Sequence, residues 1–385
     1  MPFLGRTAAD EMAMSATASG PPPLAARLVM WVFQAVGVTL AGMVVAVIST
    51  SVWWRLTPQS DLDVLVYDQT VPDASFPEHA ALGQILDYHR VPFDIATDYV
   101  GAAPGGRGTV GTWPEDQPDL IILADAYGVY LDEDGNVNDR EGSRVTESLT
   151  PNQAADVADW VHDGVPAYAE FALVTEPTPG RAGQILEQTF GFQATGWMVR
   201  KVDDLSEVSP QIKSLGAFPW PYDGPGIILL TSPVAGRTPA RTLVVLTQDM
   251  LEKPTPDVLG GPPGSIAGRS PFHRWIGVVE AAEGTAVDAW FELPVNNRGA
   301  AVLDRLDIPV VFPALIRTSN TLYFAGNGLS DETPFRLRRL QGGATLTRLV
   351  TGQEFRFFYQ ILEPSMGWLL YRQEVHAEAI RAASD

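Results

Sequence analysis

Between Leu28 and Trp54 no residue carries a charge, and those 27 positions decide what the N-terminal part of this chain can be. The run LVMWVFQAVGVTLAGMVVAVIST is apolar on every face, so it is not the amphipathic helix of a globular surface. About 20 such residues cross the hydrocarbon core of a bilayer. Trp31 at one end, and Trp53, Trp54 and Arg55 at the other, suit the two headgroup layers, where amphipathic rings settle. A cleaved leader has an apolar region of only about 7–15 residues behind a short basic stretch. Here the apolar run is longer and residues 1–27 precede it. We expect an uncleaved single-span anchor in the cell (inner) membrane.

Arg6, Arg27 and the terminal amine precede the span, and only Arg55 follows it closely. That excess places the N-terminus in the cytoplasm and the remainder in the periplasm or outside the cell. Within the span, Gly37 and Ala41 are four residues apart, as are Gly42 and Ala46. Small residues at this spacing let a second helix approach closely, so other membrane-protein subunits are the expected partners besides the bilayer.

The chain holds 46 acidic and 26 basic residues, a net charge of −20. Nucleic-acid binding is excluded, because it needs clustered Lys and Arg. An acidic domain is also repelled by anionic headgroups. The absence of cysteine removes disulfides, thiolate metal sites and any thiol nucleophile. Residues are 45% hydrophobic, enough for a large core.

Residues 1–26 are small, polar and proline-broken, and read as a flexible tail before an anchor at 27–55 and a linker at 56–61. A folded domain then spans 62–372, with a C-terminal tail at 373–385. Asp63–Tyr67, Phe93–Ala96, Asp119–Leu123 and Val165–Phe171 are short apolar runs fitting buried parallel strands. Helical patterns separate them: Glu78–His89, Ser148–His162 with Thr150 as N-cap and Pro151 behind it, and a segment from Thr178 to Gly191. Alternation of this kind implies βαβ units, right-handed crossovers and a sheet covered on both faces. From about residue 225 the chain is strand-rich. Gly226–Leu230 pairs with Thr242–Leu246, and a hairpin is expected from Trp275–Glu280 and Ala286–Leu293 around Glu283-Gly284. Asn297–Leu306 reads as helical. Pro309–Ile316, Thr321–Ala325, Phe355–Leu362 and Trp368–Tyr371 read as strands, with loops at Gly101–Pro118 and Lys253–Gly268.

The phrases Ala124-Asp-Ala-Tyr-Gly-Val-Tyr130, Phe190-Gly-Phe-Gln-Ala-Thr-Gly-Trp197 and Leu322-Tyr-Phe-Ala-Gly326 resemble the class I glutamine amidotransferase-like superfamily, over roughly Asp61 to Tyr371. The resemblance implies an α/β fold with a parallel, doubly wound, flavodoxin-like sheet, followed here by strand-rich additions. It also implies a Cys nucleophile on a turn near Ala169–Ala172, where this sequence has none. The His-x-Glu pair that activates such a thiolate has one counterpart, His376-Ala377-Glu378, in the C-terminal tail. Amide hydrolysis by the family route is therefore not expected.

Other chemistry centres on Asp125, Tyr127 and Glu170, expected at the carboxyl ends of adjacent parallel strands, where open α/β sheets bind ligands. Two carboxylates there could serve glycoside cleavage, with Asp125 and Glu170 as an acid/base pair; they could equally cap helices and accept backbone N–H groups. Asp132, Asp134, Asn136 and Asn138 offer oxygen ligands to a cation such as Ca²⁺, but the glycine is misplaced, the closing Glu is absent, and Asp134-Gly135 is a common hairpin turn. No cofactor motif or zinc-like histidine spacing occurs. The basic cluster Phe335–Leu340 fits an exposed strand edge or a contact for an acidic partner. The expected function is that of a membrane-anchored, non-catalytic accessory or scaffolding subunit. The alternatives are an anchored envelope carbohydrate hydrolase and a small-ligand sensor.

Overall fold

The structure is a computed structural model that describes residues 24–68, 80–92, 99–102, 109–125, 130–131, 137–138, 143–144, 148–174, 178, 180–216, 218–232, 234, 237, 242–265, 268–329 and 356–384. The expected strand Phe93–Ala96, Tyr127, the oxygen ligands Asp132, Asp134 and Asn136, and the cluster Phe335–Leu340 lie outside these residues.

The chain divides near Thr57 into two compact units. The first holds helix α1 (Leu24–Leu56), of 33 residues. Residues Leu28–Leu56 are long and apolar enough to cross a membrane, with a mean hydropathy of 2.1. Thr39 and Thr50 donate their hydroxyls to the carbonyls of Ala35 and Ala46, both at 2.8 Å, so the helix meets these polar groups internally.

The second unit begins with β1 (Val64–Asp68), α2 (Ala80–Tyr88), β2 (Tyr99–Ala102), β3 (Thr109–Val110) and β4 (Leu120–Asp125). A small three-stranded sheet follows, from β5 (Tyr130–Leu131), β6 (Val137–Asn138) and β7 (Ser143–Arg144). Next come α3 (Pro151–His162), β8 (Ala167–Glu170), α4 (Gly180–Phe190), β9 (Phe192–Val202), β10 (Gly226–Thr231) and β11 (Leu243–Thr247). The unit ends with β12 (Asp257–Gly260), β13 (Gly268–Pro271), β14 (Ile276–Ala281), β15 (Ala286–Glu292), α5 (Asn297–Asp304), β16 (Val311–Arg317), β17 (Thr321–Phe324) and α6 (Glu363–Ser384).

The main sheet has ten strands in the order β13-β12-β15-β16-β17-β8-β4-β1-β2-β3. Its middle five, β17 to β2, run parallel. β1 and β8 are buried at every residue, as a parallel strand covered on both faces must be. Helices α3 and α4 pack together, whereas α6 lies along β4, β8 and β17. The Glu363 carboxylate at the start of α6 is 3.5 Å from His89 Nε2, just beyond α2. The sequence-read strands near 63–67, 119–124 and 165–170 are thus parallel neighbours, with the first inside the sheet. The partner on its other side is β2, which occupies the start of the segment read as a Gly/Pro loop.

α3 ends where its sequence punctuation says. The Thr150 side chain accepts from the Gln153 N–H at 3.3 Å, and Gln153 Oε1 accepts from the Thr150 N–H at 2.9 Å, closing a capping box. Beyond the helix, Gly164 holds φ +110°, and a Cβ there would meet the His376 ring at 2.5 Å. Thr150→Ala is expected to cost about 1 kcal/mol, read as a lower denaturant midpoint for the full chain in detergent; an unchanged midpoint would remove the cap from the account.

Several expectations need correcting. Trp275–Glu280 and Ala286–Leu293 do not form a hairpin. The turn exists, with Gly284 at φ +85°, but β14 pairs with β9 in a second sheet of order β11-β10-β9-β14, and β15 pairs with β12 and β16 in the main one. Turn chemistry dictates a chain reversal, not the partner of each arm. Phe355–Leu362 and Trp368–Tyr371 are not strands. The described residues from 356 on are helical, with a π turn at Phe358–Leu362 leading into α6. Phe357–Leu362 are all buried, so the run has no polar phase to reveal its period. α6 also runs through the boundary drawn at 372/373. The Lys253–Gly268 loop contains β12, and the 11-residue β9 was not read as a strand.

Candidate functional site

β1 and β4 both end in aspartate, and the pairing register sets Asp68 beside Asp125 at the carboxyl edge of the sheet. A bulge between Tyr67 and Asp68 brings the two into line. Asp68 is fully buried. It was not singled out from the sequence, although the signal was present: Val64-Leu-Val-Tyr-Asp68 and Leu120-Ile-Ile-Leu-Ala-Asp125 are each an apolar run ending on the same acid. Asp125 is described only as a backbone position. Glu170 ends the neighbouring strand β8, opposite Phe324 of β17.

The Glu170 carboxylate is 1% exposed. Tyr168, two residues earlier and therefore on the same face of β8, donates its hydroxyl to Glu170 Oε1 at 2.7 Å. The backbone N–H of Gly328 donates to Oε2 at 3.0 Å, and that of Leu329 donates to Oε1 at 2.9 Å. The carboxylate therefore ties β8 to the segment that leaves β17. The approach is close: a Cβ on Gly328 would lie 3.0 Å from the Phe357 ring and 3.1 Å from Glu170 Oε1, so a side chain there would press on both. The amides that Glu170 accepts belong to the segment after β17 rather than to a helix N-terminus.

Burial, the Glu170 charge and the hydrogen bond to it hold the Tyr168 hydroxyl well above the ordinary tyrosine pKa, so it stays a donor. Tyr323 is pushed up by burial and by the Glu187 and Glu170 charges. A pKa raised on folding gives stability that is complete below the unfolded value of about 10 and falls as pH rises past it. Among the ten tyrosines, at least two are expected to ionise only as the domain unfolds. Absorbance at 295 nm followed against circular dichroism through alkaline pH checks this. All ten titrating before any loss of structure would contradict it.

Trp31, Trp53 and Arg55 are exposed on α1, and Trp54 is 4% exposed. Ala41 and Ala46 are exposed, and a Cβ on Gly37 or Gly42 would meet nothing within 4 Å. Asn138 belongs to β6, described as backbone only. Among the described residues no group of three or more His, Asp or Glu could hold a metal ion. Ala169–Ala172, the segment singled out from the sequence resemblance, spans the point where β8 gives way to a short 3-10 turn, Phe171–Val174. His376 lies against Gly164, at the amino end of β8, the opposite end from Glu170.

No protein-family model matches this chain, and no curated relative matches it either. Among solved structures, α-L-fucosidase isoenzyme 2 from Paenibacillus thiaminolyticus is similar, with 10% identity and a TM-score of 0.37; the match covers 84% of this chain and 35% of that one. The chain thus spans about a third of the fucosidase's length. A glutamine amidotransferase from Thermotoga maritima is similar with 8% identity and a TM-score of 0.26, covering 83% of this chain and 95% of that one. Likenesses at this level carry no argument about the site.

Proposed function

We propose that this chain is a single-span membrane protein whose exported α/β domain works by binding, as an accessory or scaffolding subunit of a membrane or envelope assembly. The observation that carries the reading is the state of Glu170: a buried carboxylate engaged by one hydroxyl and two backbone amides of its own fold. Such engagement supports a carboxylate that serves the fold as an acceptor. The apolar helix Leu28–Leu56 supports the anchor, and the cysteine-free sequence supports a domain that has lost the family's chemistry. Counted alone, the parallel strands follow the order second, first, third, fourth, fifth, which supports a flavodoxin-like reading.

Native electrophoresis of the full chain in mild detergent tests the proposal. The chain is expected in a species larger than its own oligomer. That species should disappear when residues 1–57 are replaced by an unrelated single-span anchor. A monomer or pure self-oligomer in both cases would end the accessory-subunit reading.

One observation favours a second reading. In sheets of this strand order, ligands bind outside the carboxyl ends where the order reverses, here between β1 and β4, and Asp68 and Asp125 stand there side by side. A small-ligand sensor would use this pair. The sensor reading predicts that Asp125→Asn abolishes function at normal abundance.

A further inference from the structure

The second sheet, of order β11-β10-β9-β14, ends on β11. Two hydrogen bonds fix which way its backbone groups point. The Ser232 N–H donates to the Gly196 carbonyl of the β9 side at 2.8 Å, and the Thr231 N–H donates to the Thr242 carbonyl of the β11 side at 3.0 Å. Both continue the registers of β10 with its two neighbours. Backbone groups alternate in direction along a strand, so Ile227, Leu229 and Thr231 face β11, while Ile228 and Leu230 face β9. Opposite Ile227 and Leu229 stand Leu246 and Val244. The N–H and C=O groups of Leu243, Val245 and Thr247 therefore point away from the sheet. Among the described residues no strand pairs with that side. Both faces of β11 are packed: Val244 and Leu246 belong to the main core, and Leu243 and Val245 lie with Trp220 against Leu205 and Ile228.

The other edges of the two larger sheets are closed or blunted. Along β14, the Gly277 N–H donates to the Ala325 carbonyl at 2.7 Å, and the Trp275 carbonyl accepts the Asn327 N–H at 3.1 Å. In the main sheet β3 has only two residues, and β13 carries Arg269 and ends on Pro271. Short, charged and proline-bearing edges resist pairing with another chain. β11 has none of these features. It pairs with β10 over five residues without a bulge, and Thr242–Gln248 contains neither a charge nor a proline. Its register is also self-complementary. Antiparallel pairing centred on Val245 sets Val245 against Val245, Leu243 against Thr247 and Val244 against Leu246. Every outward N–H and C=O then finds a partner, and the cross-strand pairs are mostly apolar and β-branched. Two chains of net charge −20 repel one another, and this uncharged stretch lets two copies meet without opposing like charges.

We propose that β11 is a homodimerisation edge, where a second copy of this chain adds its own β11 antiparallel and makes one continuous sheet about a two-fold axis at Val245. The inference uses the second unit alone and stands apart from the accessory-subunit reading. Its test compares the full chain with the same chain carrying an unrelated monomeric single-span anchor in place of residues 1–57. Both are purified in mild detergent, and the protein mass is followed by light scattering against concentration. A dimer is expected for both. Val245→Pro removes an N–H that β10 does not use, and proline is tolerated on the outward side of an edge strand. That variant should keep its circular dichroism and raise the dimer dissociation constant about tenfold or more, through the hydrogen bonds lost. The cysteine-free chain allows a second measurement. In the proposed pairing the two Val245 Cα atoms stand about 5.5 Å apart, within disulfide reach. Under a mild oxidant Val245→Cys should couple two copies, whereas Gln193→Cys, exposed on the interior strand β9, should not. A monomer in the unsubstituted chain, a dimer lost on exchange of the anchor, or an unchanged dimer in folded Val245→Pro would overturn the inference. So would coupling of Gln193→Cys as fast as Val245→Cys, or of Val245→Cys to a different co-purifying polypeptide. If Val245→Pro loses its fold, the two cysteine variants decide.

Discussion

Glu170→Ala is expected to destabilise the folded domain by about 3–5 kcal/mol, because three buried donors lose their shared acceptor. The Tyr168 hydroxyl and the N–H groups of Gly328 and Leu329 would all lose their acceptor inside the protein, and each unsatisfied buried donor costs about 1–3 kcal/mol. Against a total of about 5–15 kcal/mol, the loss should appear as reduced abundance in cells and a clearly lower unfolding midpoint. Glu170→Gln keeps one acceptor oxygen but turns an NH2 towards a donor, so a loss of about 1–3 kcal/mol is expected. That is more than the 0.3–2 kcal/mol of a carboxylate at a helix terminus, because this carboxylate is buried and ties β8 to the segment after β17. Wild-type stability in Glu170→Ala would show that the carboxylate does not hold the fold.

The second large effect concerns the anchor. A chain starting at Pro58 should move from the membrane pellet to the soluble fraction while keeping its circular dichroism, because β1, β4 and α6 fasten the linker without help from residues before 58. Its association with membrane partners should weaken by about 10²–10⁴, the usual gain from tethering. A truncated chain that still pellets with membranes would mean that the domain carries the attachment itself.

How much of this was legible in the sequence depends on the interaction involved. The long apolar helix was legible because the absence of charge over a bilayer's length needs no tertiary context. β1, β4 and β8 were legible as unbroken apolar runs, and α3 from its cap, Pro151 and Gly164. What escaped was pairing between distant segments. Nothing near Glu283-Gly284 says that its two arms enter different sheets. Nothing in Phe357–Leu362 distinguishes a helix buried on all sides from a buried strand. The strand-tip position of Glu170 was foreseen, but not its partners, which lie 158 and 159 residues later. Asp68 was overlooked because a single strand end looks unremarkable until the register sets it beside Asp125.

Complementation of a deletion strain by Asp125→Asn, with abundance followed by blot, tests most directly whether this domain works by binding other subunits rather than by strand-tip chemistry. Loss of a catalytic carboxylate costs about 10²–10⁴ in rate. Full complementation by Asp125→Asn at wild-type abundance is expected, and none by the chain beginning at Pro58. A variant that accumulates normally in the membrane yet fails to complement would contradict it, and would hand the function to the Asp68–Asp125 edge.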